Sequence, residues 1–274
     1  MEHALESPVF VSEVFGPLAA LRARPIPDQT EARARYRGYR QLPIATATPE
    51  PLTEIATRGI AGANYYHVRR NPPYWRRIEG AVSSLYLRAS VAEKLAAINA
   101  RTASQGLELF VFDAWRPRAV QAYFHDVWMP AELQRRDPAL SGAALTAAVE
   151  RYWAAPTNDP ASPAPHATGA AVDLSLRWKD GTQLWMGSIF DDVTTLAHRD
   201  RFEQATPGVP SYSDEEACAN RRLLHWLMCE EGFAGHPDEW WHFSFGDQLW
   251  AALTGGRAWF GPTEPISEPI SGSS

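Results

Sequence analysis

This chain of 274 residues has no long apolar stretch and few cysteines. No stretch approaches the roughly 20 consecutive apolar residues of a membrane-spanning helix, which excludes a helical membrane protein. Only two cysteines occur, Cys218 and Cys229, and both fall in one predicted helix. At about 1.5 Å per residue they lie about 16 Å apart there, too far for a disulfide. We therefore expect a globular protein with free thiols.

An excess of positive charge is absent as well. Lys and Arg number 26 against 32 Asp and Glu, a net charge of −6, so nucleic acid is not expected as a partner. No glycine-rich phosphate loop and no Gly-x-Ser-x-Gly elbow occurs, so nucleotide chemistry and serine hydrolysis gain no support. The first residues include the acids Glu2 and Glu6 and no apolar run of signal-peptide length. These features predict a cytoplasmic protein with no membrane partner.

Helical and strand patterns alternate without a regular βαβ rhythm, which predicts an α+β fold: one domain with a small, mostly antiparallel central sheet flanked by helices. Capping boxes at Ser90–Glu93 and Ser213–Glu216 predict the starts of two helices, which end at Gly106 and Gly232. Two more helices are predicted from Pro117 towards Trp128 and over 143–154. Strands are predicted at 107–112, 172–176 and 241–245.

The chain divides into three predicted parts. Residues 1–50 are rich in Pro and Arg and are expected to form an extension that packs on the domain or leads into it. Residues 51–261 are expected to form the domain that carries the chemistry. Residues 262–274, rich in Pro, Ser and Glu, are expected to be a flexible tail. No internal repeat is evident, which argues against a solenoid or a propeller.

Two segments place histidine beside a carboxylate at ligand-like spacing. In the first, His166 precedes Asp173 by seven residues, with Gly169 allowing a turn between a Pro-rich loop and a strand. In the second, Glu239 precedes His242 by three residues where a loop enters a strand. Zinc with three protein ligands keeps a fourth position for water and needs a neighbouring base, a role that Glu239 suits. Either segment alone is common by chance.

The combined pattern resembles the D-Ala-D-Ala metallopeptidases, the family that includes the vancomycin-resistance dipeptidases. The zinc signature of that family is matched by His166-x-x-Gly-x-Ala-x-Asp173 followed by Glu239-x-Trp-His242. Three further segments resemble the family in the same order: Asp113-Ala-Trp-Arg-Pro117, Met186-Gly-Ser-Ile-Phe-Asp191, and Asn220-Arg-Arg-Leu223 with Gly232-Phe233. The matches span roughly residues 85–245. Such an ordered set is far more specific than any one of its members.

The resemblance implies a zinc peptidase with one Zn²⁺ in a cleft at the sheet. It implies the zinc ligands His166, Asp173 and His242, with Glu239 as general base and acid. It also implies that Arg116 stabilises the oxyanion, a role that suits the rigid, permanently charged guanidinium. A surface ion pair with Asp113 is the other interpretation of Arg116. Asp191 resembles the residue that receives the ammonium group of the substrate, although it is also a candidate loop cap.

Two positions depart from the family pattern. Ala164 stands where a serine is usual, two residues before His166, and Trp115 replaces the usual tyrosine before Arg116. We expect both to line the substrate site, and the lost hydroxyl predicts a broader or more hydrophobic dipeptide preference. His236 is a rival ligand, His198 falls where the family also has a histidine, and His225 is expected to be a packed or surface residue.

The expected reaction is hydrolysis of a small dipeptide, D-Ala-D-Ala or a related D-amino-acid dipeptide. The alternatives are a D,D- or L,D-carboxypeptidase that acts on longer cell-wall peptides, and a zinc-containing binding protein without turnover. His and carboxylate ligands also accept divalent ions other than zinc.

Overall fold

The computed structural model describes residues 9–45, 50–204 and 211–265. In these ranges the helices are α1 (Val9–Phe15), α2 (Ala19–Ala23), α3 (Thr30–Tyr36), α4 (Ala89–Ala103), α5 (Arg118–Tyr123), α6 (Met129–Arg136), α7 (Gly142–Glu150), α8 (Tyr212–Glu230) and α9 (Gln248–Thr254). The strands are β1 (Leu52–Glu54), β2 (Ala61–Gly62), β3 (Tyr86–Arg88), β4 (Leu107–Asp113), β5 (Ala171–Trp178), β6 (Ala234–Gly235) and β7 (His242–Ser244). None of these helices combines the length and apolar character needed to cross a membrane.

Five of the strands form the central sheet, in the order β2-β4-β5-β7-β6. Strand β2 runs parallel to β4, and every other pair in the sheet is antiparallel. Strands β1 and β3 form a separate antiparallel pair. The predicted α+β fold with a small, mostly antiparallel sheet is confirmed.

Strand β5 lies in the middle of this sheet. Its residues from Ala171 to Leu176 are all buried, because the strand has a partner on each side and packed side chains on both faces. The alternation expected from a half-exposed strand is therefore absent. Strand β4 does alternate, with buried residues at every second position from Leu107 to Asp113.

One row of residues crosses the sheet at the end of these strands. Asp113 of β4 pairs with Asp173 of β5, which pairs with His242 of β7. A register shift between Val111 and Asp113 brings Asp113 into this row. Directly paired residues of neighbouring strands project to the same face. The sheet therefore collects two acids and one imidazole on one face from three distant parts of the chain.

Both predicted helix starts are wrong by one or two residues. Helix α4 begins at Ala89, and its first turn is capped from outside: the carboxylate of Glu50 accepts hydrogen bonds from the backbone N–H and the hydroxyl of Ser90. Helix α8 is capped by Ser211, whose Oγ accepts from the N–H of Asp214 at 3.1 Å. In both places a competing partner, rather than the predicted serine, satisfies the free N–H groups.

The helices after β4 also differ from the prediction. Pro117 precedes the first helical residue, and a π-helical turn over Phe124–Trp128 joins α5 to α6. Helix α7 ends at Glu150, before Pro156. In the turn that follows, Trp153 stacks on Phe124 with ring centroids 4.2 Å apart.

The N-terminal segment packs on the domain. Arg22 donates to Asn220 and Glu216, and Arg33 donates to Asp200 and Asp238. At the other end, the N–H of Thr263 donates to the Ala167 carbonyl at 3.0 Å, so the chain is held to the domain beyond Gly261. The rest of the predicted tail, residues 266–274, lies outside the described residues. The domain boundaries stay a prediction.

Candidate active site

His166 lies on a short 3₁₀ turn, Pro165–Thr168, that leads into β5. The turn ends at Gly169, which has a φ of 68°, and a Cβ there would come within 2.3 Å of the Leu52 side chain. Glycine is therefore required by both the conformation and the space. This turn brings the His166 ring over the row that crosses the sheet.

His166, Asp173 and His242 are all buried and form a group of potential metal ligands. The His166 Nε2 atom lies 3.2 Å from His242 Nδ1 and 3.2 Å from Asp173 Oδ2, and His242 Nδ1 lies 3.0 Å from Asp173 Oδ1. Ligand bonds of about 2.0–2.1 Å in a tetrahedral zinc site place neighbouring ligand atoms about 3.3 Å apart. The distance between the two nitrogens, and the distance from each nitrogen to one oxygen of Asp173, are each close to that spacing.

Hydrogen bonds on the far side of each ring orient the two imidazoles. His166 Nδ1 lies 2.7 Å from the carbonyl oxygen of Ala114, which can only accept, so this nitrogen carries the proton. Ser244 donates its hydroxyl to Asp247 and therefore accepts from His242 Nε2 at 3.3 Å. The nitrogen that remains on each ring faces Asp173. Two imidazole nitrogens that converge beside a buried carboxylate are a donor set that fits a bound metal ion.

Electrostatics in this group favour an ionised Asp173. Burial alone would raise the pKa of its carboxyl, but attraction to His166 and hydrogen bonding to both histidines hold that pKa below the usual value. Burial lowers the pKa of His242 to about 4, so this ring is neutral at neutral pH. A neutral imidazole and an ionised carboxylate are the forms that bind metals.

Arg116 follows β4 and is buried beside the metal group. It donates through Nε to Asp113 at 2.8 Å, through Nη1 to Gln121 at 2.9 Å, and through Nη2 to both Tyr66 and Asp173 at 3.3 Å. The ion pair with Asp113 therefore exists, but it is a buried pair that holds the guanidinium in place. Of the five N–H groups of arginine, one on Nη1 has no partner among the described residues.

Glu239 lies in the loop between β6 and β7, with its Oε2 atom 3.8 Å from His242 Nδ1. Burial, reinforced by the negative charge of Asp173, raises the pKa of the Glu239 carboxyl well above its usual value. A carboxylate in this environment takes up a proton readily. Its position next to the metal group suits proton transfer.

The loop that carries Glu239 is held by Arg199, a residue that the sequence reasoning missed. The buried guanidinium donates to the carbonyl oxygens of His236, Glu239 and His242 at 2.9–3.1 Å. A Cβ at Gly235 would come within 2.2 Å of this guanidinium, so glycine makes room for it. Nothing local in the sequence marks Arg199, because its partners lie about 40 residues away.

Asp191 is buried and has a φ of 59°, unusual for a residue other than glycine. Its Oδ2 accepts hydrogen bonds from the hydroxyls of Tyr66 and Tyr74, both at 2.9 Å. Burial, together with the charge of Asp173, raises the pKa of Asp191 to about 7. No cation pairs with it among residues 9–45, 50–204 and 211–265. Nothing local in the sequence marks the two tyrosines, which precede Asp191 by more than 100 residues.

A cavity of about 680 Å³ brings these groups together. Its lining includes the three candidate ligands with Arg116, Asp191 and Glu239, and its walls come from the N-terminal segment 36–41 and from residues 150–155. The structure does not bring Trp115 and Ala164 to this cavity. Trp115 donates its indole N–H to the Thr263 carbonyl, and Ala164 is buried just before the 3₁₀ turn. The serine that lines the cavity is Ser162.

The three other histidines considered from the sequence, His198, His225 and His236, lie outside the metal group. His236 lines the cavity, but its Nδ1 accepts from the N–H of Asp238 at 3.2 Å, and burial lowers its pKa to about 3. The Nε2 atom of His198 lies 3.6 Å from Oδ1 of Asp238 and 3.2 Å from Nη2 of Arg151. His225 is buried in α8 next to Cys229, so it is packed as expected.

Known proteins resemble this chain over most of its length. A model of the D-ala-D-ala dipeptidase family of peptidases, M15, matches residues 77–254. This chain belongs to that family. The D-alanyl-D-alanine dipeptidase of Synechocystis sp. is 34% identical over 226 residues, which cover 78% of this chain and 88% of the relative. The D-alanyl-D-alanine dipeptidase of Enterococcus faecium is 30% identical over a match that covers 58% of this chain and 72% of that relative.

Membership of this family confirms the resemblance to D-Ala-D-Ala metallopeptidases that the sequence motifs indicated. It also confirms the predicted class of enzyme, a metallopeptidase. Among solved structures, the vancomycin resistance D,D-pentapeptidase VanY in complex with Zn(II) is 16% identical. The structural match covers 71% of this chain and 93% of the VanY chain, with a TM-score of 0.34. A likeness of that size supports no comparison of individual residues.

Proposed function

We propose that this chain is a zinc dipeptidase that hydrolyses D-Ala-D-Ala or a closely related D-amino-acid dipeptide. The observation that carries the proposal is the convergence of three buried potential metal ligands, His166, Asp173 and His242, beside Glu239. Membership of the family and the names of the relatives support the same reaction class. A cytoplasmic location stays a prediction from the sequence.

In this proposal His166, Asp173 and His242 hold one Zn²⁺. Zinc in such a site polarises the scissile carbonyl and lowers the pKa of water to about 7. Glu239 accepts the proton of the attacking water at Oε2 and passes it to the nitrogen of the leaving amino acid. Its raised pKa suits both halves of this transfer. Arg116 donates its remaining N–H to the oxygen that gains negative charge.

The environment of Asp191 favours a dipeptide over a longer peptide as the substrate. It is a buried carboxylate in the cavity wall with two hydroxyl donors on one oxygen and no cationic partner in the described part of the chain. The free ammonium group of a dipeptide supplies that cation. A longer peptide would place an uncharged amide there and leave the charge of Asp191 uncompensated.

Three substrates test this proposal. The zinc-loaded protein should release D-alanine from D-Ala-D-Ala, and removal of the metal with a chelator followed by readdition of Zn²⁺ should abolish and restore the reaction. N-acetyl-D-Ala-D-Ala and L-Ala-L-Ala should be much poorer substrates. Preference for the acetylated compound would favour a carboxypeptidase, and no release from any substrate would favour a binding protein without turnover.

A further inference from the structure

Arg40 lies in the wall of the cavity, on the N-terminal segment that precedes the region matched by the family. Its Nε donates to the Ser162 carbonyl at 3.2 Å and to the Ser162 hydroxyl at 3.1 Å. Its Nη2 donates to the same carbonyl at 2.7 Å. In residues 9–45, 50–204 and 211–265 no carboxylate pairs with this guanidinium. Arg40 is therefore a fixed, uncompensated cation at the cavity.

A buried amide fixes the backbone on both sides of the Arg40–Ser162 contact. Gln248, 2% exposed at the start of α9, donates through Nε2 to the carbonyls of Arg40, Leu42 and Ala161 at 2.6–3.3 Å. Arg40 is thus held at its side chain and at its backbone. A guanidinium that is already ordered loses little conformational entropy when it binds a ligand.

The unused hydrogen-bonding capacity of Arg40 differs from that of Arg116. Of its five N–H groups, the two on Nη1 and one on Nη2 have no partner among the described residues. These three form the end of the guanidinium that binds a carboxylate through two parallel bonds. The Ser162 hydroxyl accepts from Arg40 and keeps its own proton for a further acceptor.

We propose that Arg40, supported by Ser162, binds the terminal carboxylate of the substrate. This inference rests on the proposed dipeptidase function and assigns the second end of the dipeptide. A dipeptide carries an ammonium group and a carboxylate, and the cavity offers a buried acid in Asp191 and a free guanidinium in Arg40. Arg40 and Ser162 are then the residues that restrict the enzyme to substrates with a free carboxyl end.

A matched pair of substrates tests this role. The kcat/KM for D-Ala-D-Ala is compared with that for D-alanyl-D-alaninamide, which lacks the carboxylate, in the wild type and in Arg40→Met. We expect Arg40→Met to lose about tenfold to hundredfold on the acid, mainly through KM, and little on the amide, because bonds to charged groups carry that much binding energy. Ser162→Ala should show a smaller loss that is also confined to the acid.

Arg37→Met is the control for loss of positive charge alone. Arg37 is exposed and lines the same cavity, and its side chain has no hydrogen bond or ion pair within the described ranges. We expect this variant to treat both substrates as the wild type does. An equal loss on both substrates in Arg40→Met would overturn the inference and make Arg40 a structural residue. A loss of the same size in Arg37→Met would show that the effect of Arg40→Met comes from long-range charge and not from direct binding of the carboxylate.

Direct binding separates this inference from the proposed function. Calorimetry with Glu239→Gln and with Glu239→Gln/Arg40→Met measures the affinity for D-Ala-D-Ala in a background where loss of the base slows hydrolysis. Weaker binding of the acid in the double variant, with unchanged binding of the amide, supports the carboxylate site even if the wild type hydrolyses neither compound. Equal affinities for D-Ala-D-Ala in the two variants overturn the inference even if hydrolysis is observed.

Discussion

The Nη2 atom of Arg116 lies 3.3 Å from Oδ2 of Asp173, so the buried guanidinium contacts a carboxylate of the candidate metal group directly. The same side chain is held by Asp113, Gln121 and Tyr66, and Tyr66 in turn donates to Asp191. Arg116 therefore joins the metal group to the acid proposed to bind the ammonium end. A change at this position is expected to affect catalysis without removing the surrounding groups.

Arg116→Lys should lower kcat far more than it raises KM, by about 10²–10³-fold, because the lost hydrogen bond forms mainly in the transition state. Lysine keeps the charge but lacks the planar fork that now holds four partners. Steady-state kinetics on D-Ala-D-Ala, with thermal unfolding as the check on folding, measures this. A change confined to KM would make Arg116 a substrate-binding residue.

His166→Ala and Asp173→Ala should lose the metal. The wild type is expected to carry about one zinc ion per chain, and removal of one of three ligands leaves too few to hold it. Metal content after dialysis checks this. His236→Ala is the matched control, because His236 lines the same cavity outside the ligand group, and it should retain the metal. Full occupancy in both ligand variants would remove the proposed site.

Asp191→Asn should stabilise the metal-free protein at alkaline pH. The folded-state pKa of Asp191 is raised to about 7, so the folded protein holds this proton more tightly than the unfolded chain does. The contribution to stability is present below the unfolded pKa of about 4 and is lost as the pH rises to about 7. The asparagine is never ionised and avoids that loss.

The difference in free energy of unfolding between Asp191→Asn and the wild type should thus grow from about pH 4 to pH 7 and then level off. Denaturant unfolding across this range measures it. A difference that does not change with pH would show that Asp191 ionises in the folded protein as it does in the unfolded chain.

Ala164→Ser should leave the dipeptide preference unchanged. The sequence predicts that the missing hydroxyl at this position broadens the substrate range, but Ala164 lies outside the cavity lining, whereas Ser162 belongs to it. The ratio of kcat/KM for D-Ala-D-Ala to that for D-Ala-D-Phe should be equal in the variant and the wild type. A shift of the variant towards D-Ala-D-Ala would restore the earlier interpretation.

Local patterns in the sequence predicted the candidate ligands because each lies at the border of a loop and a strand. Asp173 and His242 belong to strands whose pairing places them side by side, and the turn at Gly169 delivers His166. Helix starts were less predictable, since Glu50 caps the helix that Ser90 was expected to begin. A partner 40 residues away leaves no mark in the local sequence.

The residues that hold the site in place were not predictable for the same reason. Tyr66, Arg199 and Arg40 act through partners 125, 37–43 and 122 residues away, and none belongs to a periodic pattern or a motif. Their roles arise only when the chain is folded. Arg40 also lies in the segment predicted to be an N-terminal extension, which carries none of the predicted site residues.

Glu239→Gln, measured for metal content and for release of D-alanine in the same preparation, tests the central claim most directly. The amide keeps the shape of the side chain but cannot accept a proton, and the three candidate ligands are untouched. We expect about one zinc ion per chain, as in the wild type, and a rate of D-Ala-D-Ala hydrolysis lower by about 10²–10⁴-fold. A near-normal rate with full zinc content would contradict the account by placing the proton transfer elsewhere.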